Sequence, residues 1–69
     1  MIKNKIIVLR AERGWSQNDL AQKVGVTRQT IAAIEKGKYS LSLQLAYQIA
    51  EIFECKLEDV FQYDYKHDI

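Results

Sequence analysis

The stretch QNDLAQKVGVTRQTIAAIEK, from Gln17 to Lys36, restricts this chain more than any other, because it holds two helical periods separated by one glycine. In the first segment, Ser16 to Val24, the residues Leu20, Ala21 and Val24 fall on one helical face, and Ser16 followed by Asp19 has the form of a capping box. At Gly25 the pattern breaks where a residue able to take φ > 0 lets the chain turn sharply, and Val26 follows as an apolar plug. Thr27 can cap the next segment through its hydroxyl. Ile31 and Ile34 mark that segment's buried face, which leaves Arg28, Gln29, Thr30 and Ala33 pointing outward. The expected product is two short helices joined by one tight turn.

The outward residues carry the chemistry. A guanidinium can donate two hydrogen bonds to O6 and N7 of guanine, and a Gln amide can pair with N6 and N7 of adenine, so Arg28 and Gln29 suit base edges. They stand at the N-terminal end of the second helix, the part that meets bases when such a helix enters a major groove. Thr27 and Ala33 complete the base-facing set. Gln17, Lys23, Thr30, Lys36, Lys38 and Tyr39 are placed to hold the sugar-phosphate backbone. Arg28 and Gln29 taken alone could equally be solvated residues on an amphipathic helix. It is the coincidence of Ala21, Gly25 and apolar residues at 20, 24, 26, 31 and 34 that favours the reading as a double-stranded DNA partner.

Charge supports it. The formal net charge is only +1, but residues 1 to 38 carry eight Lys or Arg against three acids, a net +5, whereas residues 39 to 69 carry two against six, a net −4. Such asymmetry turns Lys23, Arg28, Lys36 and Lys38 toward a duplex and Glu51, Glu54, Glu58 and Asp59 away from it.

The flanking segments complete a bundle. From Lys5 to Arg13, Ile6, Leu9, Arg10 and Arg13 share one face, with Gly14 as the stop. A guanidinium among apolar neighbours needs a partner, and Glu35 at the end of the third helix is the expected one. Trp15, just before the cap Ser16, can act as a hydrophobic staple. Gly37 closes the third helix. Ser42 caps a fourth that runs to about Phe53, with Leu43, Ala46, Ile49, Ala50 and Phe53 toward the core. Leu57 to Phe61 is a short fifth helix with Glu58 and Asp59 in its first turn, where they complement the helix dipole. The tail then changes period: Phe61, Tyr63 and Tyr65 alternate with Gln62, Asp64 and Lys66, as in a half-buried strand. Met1 to Asn4 is the free segment left to pair with it. The fold expected is therefore all-α, a five-helix bundle extended by a small two-stranded antiparallel sheet from the chain ends, with residues 1–69 forming one domain.

A globule of this size buries only about 60% of its unfolded surface, so a second copy would add to its stability. A twofold homodimer through the fifth helix and the sheet is expected, with Leu57, Val60, Phe61 and Tyr63 at its centre. Its two outward helices would then lie about 34 Å apart, the spacing of an inverted-repeat site. The sequence has neither an apolar run near membrane-spanning length nor a signal-peptide core, which points to a cytoplasmic protein without a membrane partner. Cys55 stands alone and reads as a spectator thiol in a reducing compartment. His67 lies among polar residues with no second ligand at metal spacing, so neither metal nor cofactor is expected. One Cys, one His, no Gly-rich phosphate loop and no paired acids also argue against an enzyme.

Beyond the central stretch, LRAERGWSQ before it and IEKGKYS and LSLQLAYQIAEIF after it resemble the lambda Cro and phage-repressor type of helix-turn-helix family, in its compact bacterial form. The resemblance is closest to short dimeric bacterial regulators similar to the cytolysin repressor, in which a strand at each chain end extends the bundle. It implies a transcriptional regulator, a repressor that occludes a promoter. It also implies that Gln17 contacts a phosphate and that Arg10 pairs with Glu35. The family usually carries a proline where this chain has Leu41, and there is no proline anywhere here, which leaves the entry to the fourth helix less constrained. The alternative is an antitoxin or protein-interaction module whose helix-turn-helix serves autoregulation. Against it, few residues follow the fifth helix to form a further interface.

Overall fold

The structure is a computed structural model that describes residues 2–63. In order it contains β1 (Ile2–Asn4), α1 (Ile6–Arg13), α2 (Gln17–Val24), α3 (Arg28–Glu35), α4 (Leu43–Ile52), α5 (Leu57–Val60) and β2 (Phe61–Tyr63). The helix boundaries follow local chemistry. Ser16 caps α2 by accepting from the Asp19 amide while the Asp19 carboxylate accepts from the Ser16 amide, the reciprocal box expected from the sequence. Those two contacts with Ser16, the backbone amide first and the hydroxyl second, hold the Asp19 carboxyl below the usual carboxylate range. Thr27 and Ser42 cap α3 and α4 by accepting from the amides of Thr30 and Leu45. Between α2 and α3 the chain turns at Gly25, whose φ of 78° is strained for any residue with a Cβ.

One core joins these elements. Ile6, Leu20, Ala21, Ile31, Ile34, Leu45, Ile49, Ala50, Phe53 and Val60 form a single buried cluster, so each of the five helices contributes to it. Each fully enclosed aliphatic side chain contributes about 1.5–3 kcal/mol through removal of apolar surface from water. Trp15 packs on the cluster's edge and stacks on the Phe53 ring at a centroid distance of 5.6 Å, tying the start of α2 to the end of α4. Its staple therefore reaches across the bundle. Arg13 braces the same corner, donating to the Phe53 carbonyl at 2.6 Å and lying over the Phe53 ring.

The chain ends pair as expected. β1 and β2 form an antiparallel two-stranded sheet with Ile2 opposite Tyr63, Lys3 opposite Gln62 and Asn4 opposite Phe61. Tyr65 and His67 lie outside the described residues. Three details differ from expectation. Phe61 begins the strand instead of ending α5. Leu43 is 66% exposed, and Leu45 takes the place on the core face that the sequence reading gave it. The residues that α4 buries define a stripe, and Leu43 lies about a quarter-turn from its centre at 100° per residue, in a first turn whose side chains lean back toward the loop. Val60, expected at the centre of a dimer interface, is fully enclosed within the monomer, because the last residue of α5 turns into the core where the strand departs. Its side chain has no surface to offer a partner.

Candidate nucleic-acid interface

The α3 helix is anchored on one side and open on the other. Ile31 and Ile34 are buried, while Arg28 and Gln29 in its first turn are exposed, with Thr30 and Ala33 half-buried beside them. The amide groups of that turn stand at the positive end of the helix. The Thr27 and Thr30 hydroxyls lie 3.1 Å apart, so the two are paired with each other as well as with the helix end. Lys36, Lys38 and Tyr39 are exposed where α3 ends. There Gly37, at φ 72°, lets the amides of Gly37 and Lys38 return to the carbonyls of Ile34 and Ala33.

Behind this face lies a chain of polar side chains. Arg10 on α1 donates from Nε to Glu35 Oε2 at 2.7 Å, from Nη2 to Oε1 at 3.4 Å, and from Nη1 to the Trp15 carbonyl at 3.0 Å. The side chains of Arg10 and Glu35 are 15% and 4% exposed, so the pair is largely removed from water, as the apolar face of α1 required. Every charged atom of it has a partner, which is the condition for tolerating such a pair inside a protein. Glu35 Oε1 also accepts from Gln17 Nε2 at 2.8 Å, and Gln17 Oε1 accepts from Arg28 Nη1 at 3.4 Å. Gln17, the expected phosphate contact, turns one of its two amide N–H bonds inward, where an accept-only carboxylate stands within reach.

Lys23 has another partner too. Its Nζ sits 4.6 Å from the centre of the Trp15 ring, an attraction to the ring's negative face. Asn4 is the residue that the sequence reading missed. From the end of β1 its Nδ2 donates to the Ile34 carbonyl at 3.0 Å and to the Glu35 carbonyl at 3.4 Å, while its Oδ1 accepts from the Ile6 amide. It thus caps the last turn of α3 and the first turn of α1 together. An Asn two residues before an apolar helical period is a local signal for the second contact. The first, thirty residues away, has none.

An outward-facing helix seated across a second one, with a sharp glycine turn between them, defines a helix-turn-helix unit. The helix-turn-helix family matches residues 6–60, and the chain belongs to that family. It is 56% identical over 63 residues to an uncharacterized HTH-type transcriptional regulator of Methanocaldococcus jannaschii, spanning 91% of this chain and 96% of that protein. It is 58% identical over 60 residues to the uncharacterized HTH-type transcriptional regulator YgzD of Bacillus subtilis, spanning 87% and 91%. The crystal structure of a candidate DNA-binding protein from Bacteroides fragilis superposes with a TM-score of 0.78 at 26% identity, covering 90% of this chain and all of that one. No helix among the described residues is long and apolar enough to cross a membrane.

Proposed function

We propose that this helix-turn-helix protein is a cytoplasmic, sequence-specific transcriptional regulator that lays α3 in the major groove of double-stranded DNA. Arg28 and Gln29 read base edges with Thr27 and Ala33 alongside, and Gln17, Lys23, Thr30, Lys36, Lys38 and Tyr39 hold the backbone. The observation that carries this reading is the exposure of Arg28 and Gln29 in the first turn of a helix whose other side is fixed in the core by Ile31 and Ile34. The relatives' names as HTH-type transcriptional regulators agree with it.

The acting species is a twofold dimer that represses by occupying an inverted repeat. In support, Ile2 and Tyr63, opposite each other in the sheet, are 57% and 48% exposed, and with Leu41, Leu43 and Phe61 they line one apolar groove. A monomer leaves this surface in water, and a second copy would cover it. With Val60 inside the core, the centre of the contact passes to Leu57, Phe61, Tyr63 and the neighbouring Ile2 and Leu43. The test is sedimentation together with DNA binding. The full chain is expected to sediment as a dimer on the order of tens of micromolar, and a variant with Ile2→Asp and Leu43→Asp as a monomer that binds DNA more weakly. A full chain that stays monomeric, or a monomeric variant that binds inverted-repeat DNA as tightly, would overturn the dimer.

A further inference from the structure

Asn4 stands where the sheet, α1 and α3 meet. It is the last residue of β1, opposite Phe61 in the sheet. Its Oδ1 accepts from the Ile6 amide at the start of α1, and its Nδ2 donates to the carbonyls of Ile34 and Glu35 at the end of α3. Carbonyls in the last turn of a helix lack partners further along the helix, so a donor placed there decides how that end is held. Arg10 grips the Glu35 side chain, which has rotatable bonds of its own, whereas Asn4 grips the backbone. The position of β1 is in turn set by β2, through the register that puts Ile2 opposite Tyr63, and by the bond from the Lys5 amide to the Val60 carbonyl. A two-stranded sheet on its own is marginal in water. Ile2 and Tyr63 belong to the apolar surface assigned above to a second copy, so covering that surface holds the strand that carries Asn4.

We propose that Asn4 is a positioning residue that passes the state of the subunit contact to the reading helix. This rests on the reading of α3 as the DNA-facing helix and of the sheet as part of the dimer contact. With the sheet covered, β1 is held, the Asn4 amide stays on the Ile34 and Glu35 carbonyls, and α3 keeps one attitude. With the sheet in water, β1 frays from its Ile2 end and the clasp opens. The helix then pivots on its two buried residues, Ile31 and Ile34. Because α3 is only about 12 Å long, a shift at its last turn displaces Arg28 and Gln29 in its first. Bidentate pairing with a base tolerates little displacement, whereas a phosphate contact adapts to it, so an opened clasp lowers discrimination more than general affinity. The linkage is reciprocal: a cognate site that selects one attitude of α3 also favours the covered sheet.

The experiment is a double-substitution cycle on the full chain. The probes are a duplex carrying one arm of the site that the parent protein enriches from a randomised pool, which removes avidity, and a scrambled duplex of equal length. The readout is the ratio of the two dissociation constants, in which a change of net charge cancels, with sedimentation for the oligomer and thermal melting for folding. Asn4→Asp keeps an acceptor for the Ile6 amide and loses the donor to α3, and Leu43→Asp opens the subunit contact from outside both strands. Asn4→Asp is expected to sediment as a dimer, like the parent, and to lose about tenfold in the ratio. Leu43→Asp is expected to sediment as a monomer with a similar loss, and the double variant to lose little more. A dimeric Asn4→Asp variant with the parent's ratio, or losses that multiply in the double variant, would overturn the coupling while the dimer and the reading of α3 stand. A parent that sediments as a monomer overturns the dimer and the coupling with it, and Arg28→Ala with the parent's ratio overturns the reading of α3. Should Asn4→Asp melt too low to assay, Asn4→Ser, neutral and too short to reach α3, replaces it under the same readout.

Discussion

The two helices α3 and α4 are built with the same devices and are used in opposite ways. Each starts with a hydroxyl cap that accepts from the amide three residues on, Thr27 in one and Ser42 in the other. Each ends with the same pair of backbone bonds, from Gly37 and Lys38 back to Ile34 and Ala33, and from Glu54 and Cys55 back to Glu51 and Ala50. Yet α3 buries only Ile31 and Ile34 and holds its end through side chains of two other elements, Asn4 and Arg10, whereas α4 buries Leu45, Ala46, Ile49 and Ala50 and is held mainly by packing, with one such contact, from Arg13 to the Phe53 carbonyl. A helix that must present its face to a partner gives up apolar anchoring on that face. Directional polar contacts at its ends supply the orientation that packing would otherwise give.

The largest expected effect attacks the packed helix. Phe53→Ala removes a fully enclosed ring that stacks on Trp15, and it should destabilise the protein by about 3–5 kcal/mol in chemical unfolding. A loss below about 1 kcal/mol would mean that α4 is not held by packing. The polar side comes next. Arg10→Met alone should cost about 3 kcal/mol, near the low end for a broken buried pair because Gln17 still donates to Glu35. Arg10→Met with Glu35→Leu should recover most of that stability. If it does, the same double variant should still bind DNA with lowered discrimination, since stability and aim are then separable; an unchanged discrimination would remove the polar chain from the account.

Smaller effects sharpen the contrast. Thr27→Ala and Ser42→Ala should each cost about 1 kcal/mol in thermal melts, because each leaves one helix-end amide without its cap. Only Thr27→Ala is expected to weaken DNA binding beyond that loss. Glu54 adopts φ 58°, the left-handed region in which a Cβ is strained, at the position that Gly37 occupies after α3. Glu54→Gly should therefore raise stability by about 0.5–1 kcal/mol, and a neutral or negative result would show that the Glu54 side chain offsets its strain.

Much of this was legible from residue types and spacing. The caps at Ser16, Thr27 and Ser42, the turn at Gly25, the partner of Arg10 and the pairing of the chain ends all rest on local chemistry or on a single unmet requirement, and the structure contains them. Periodicity alone left the edge of the α4 stripe ambiguous, since Leu43 and Leu45 lie at similar angles on its two sides, and Leu45 is the one that is buried. Glu54 carries no local signal for a left-handed backbone, and the return of the chain to α5 imposes it. At Asn4, Gln17 and Lys23 the sequence allowed several partners. The choice among them depends on distances across the bundle: Glu35 lies within hydrogen-bonding reach of Gln17, and the Trp15 ring lies beside Lys23.

The central claim is that α3 reads bases at its first turn while the residues beyond its last turn hold the backbone. Binding of the parent, Arg28→Ala and Lys38→Ala proteins to an enriched duplex and to its scrambled counterpart, across a salt series, tests it most directly. Arg28→Ala is expected to lose about 1–3 kcal/mol on the enriched duplex and far less on the scrambled one, while Lys38→Ala weakens both alike and lowers the salt slope by about one. Equal losses from both substitutions on both duplexes would contradict the account.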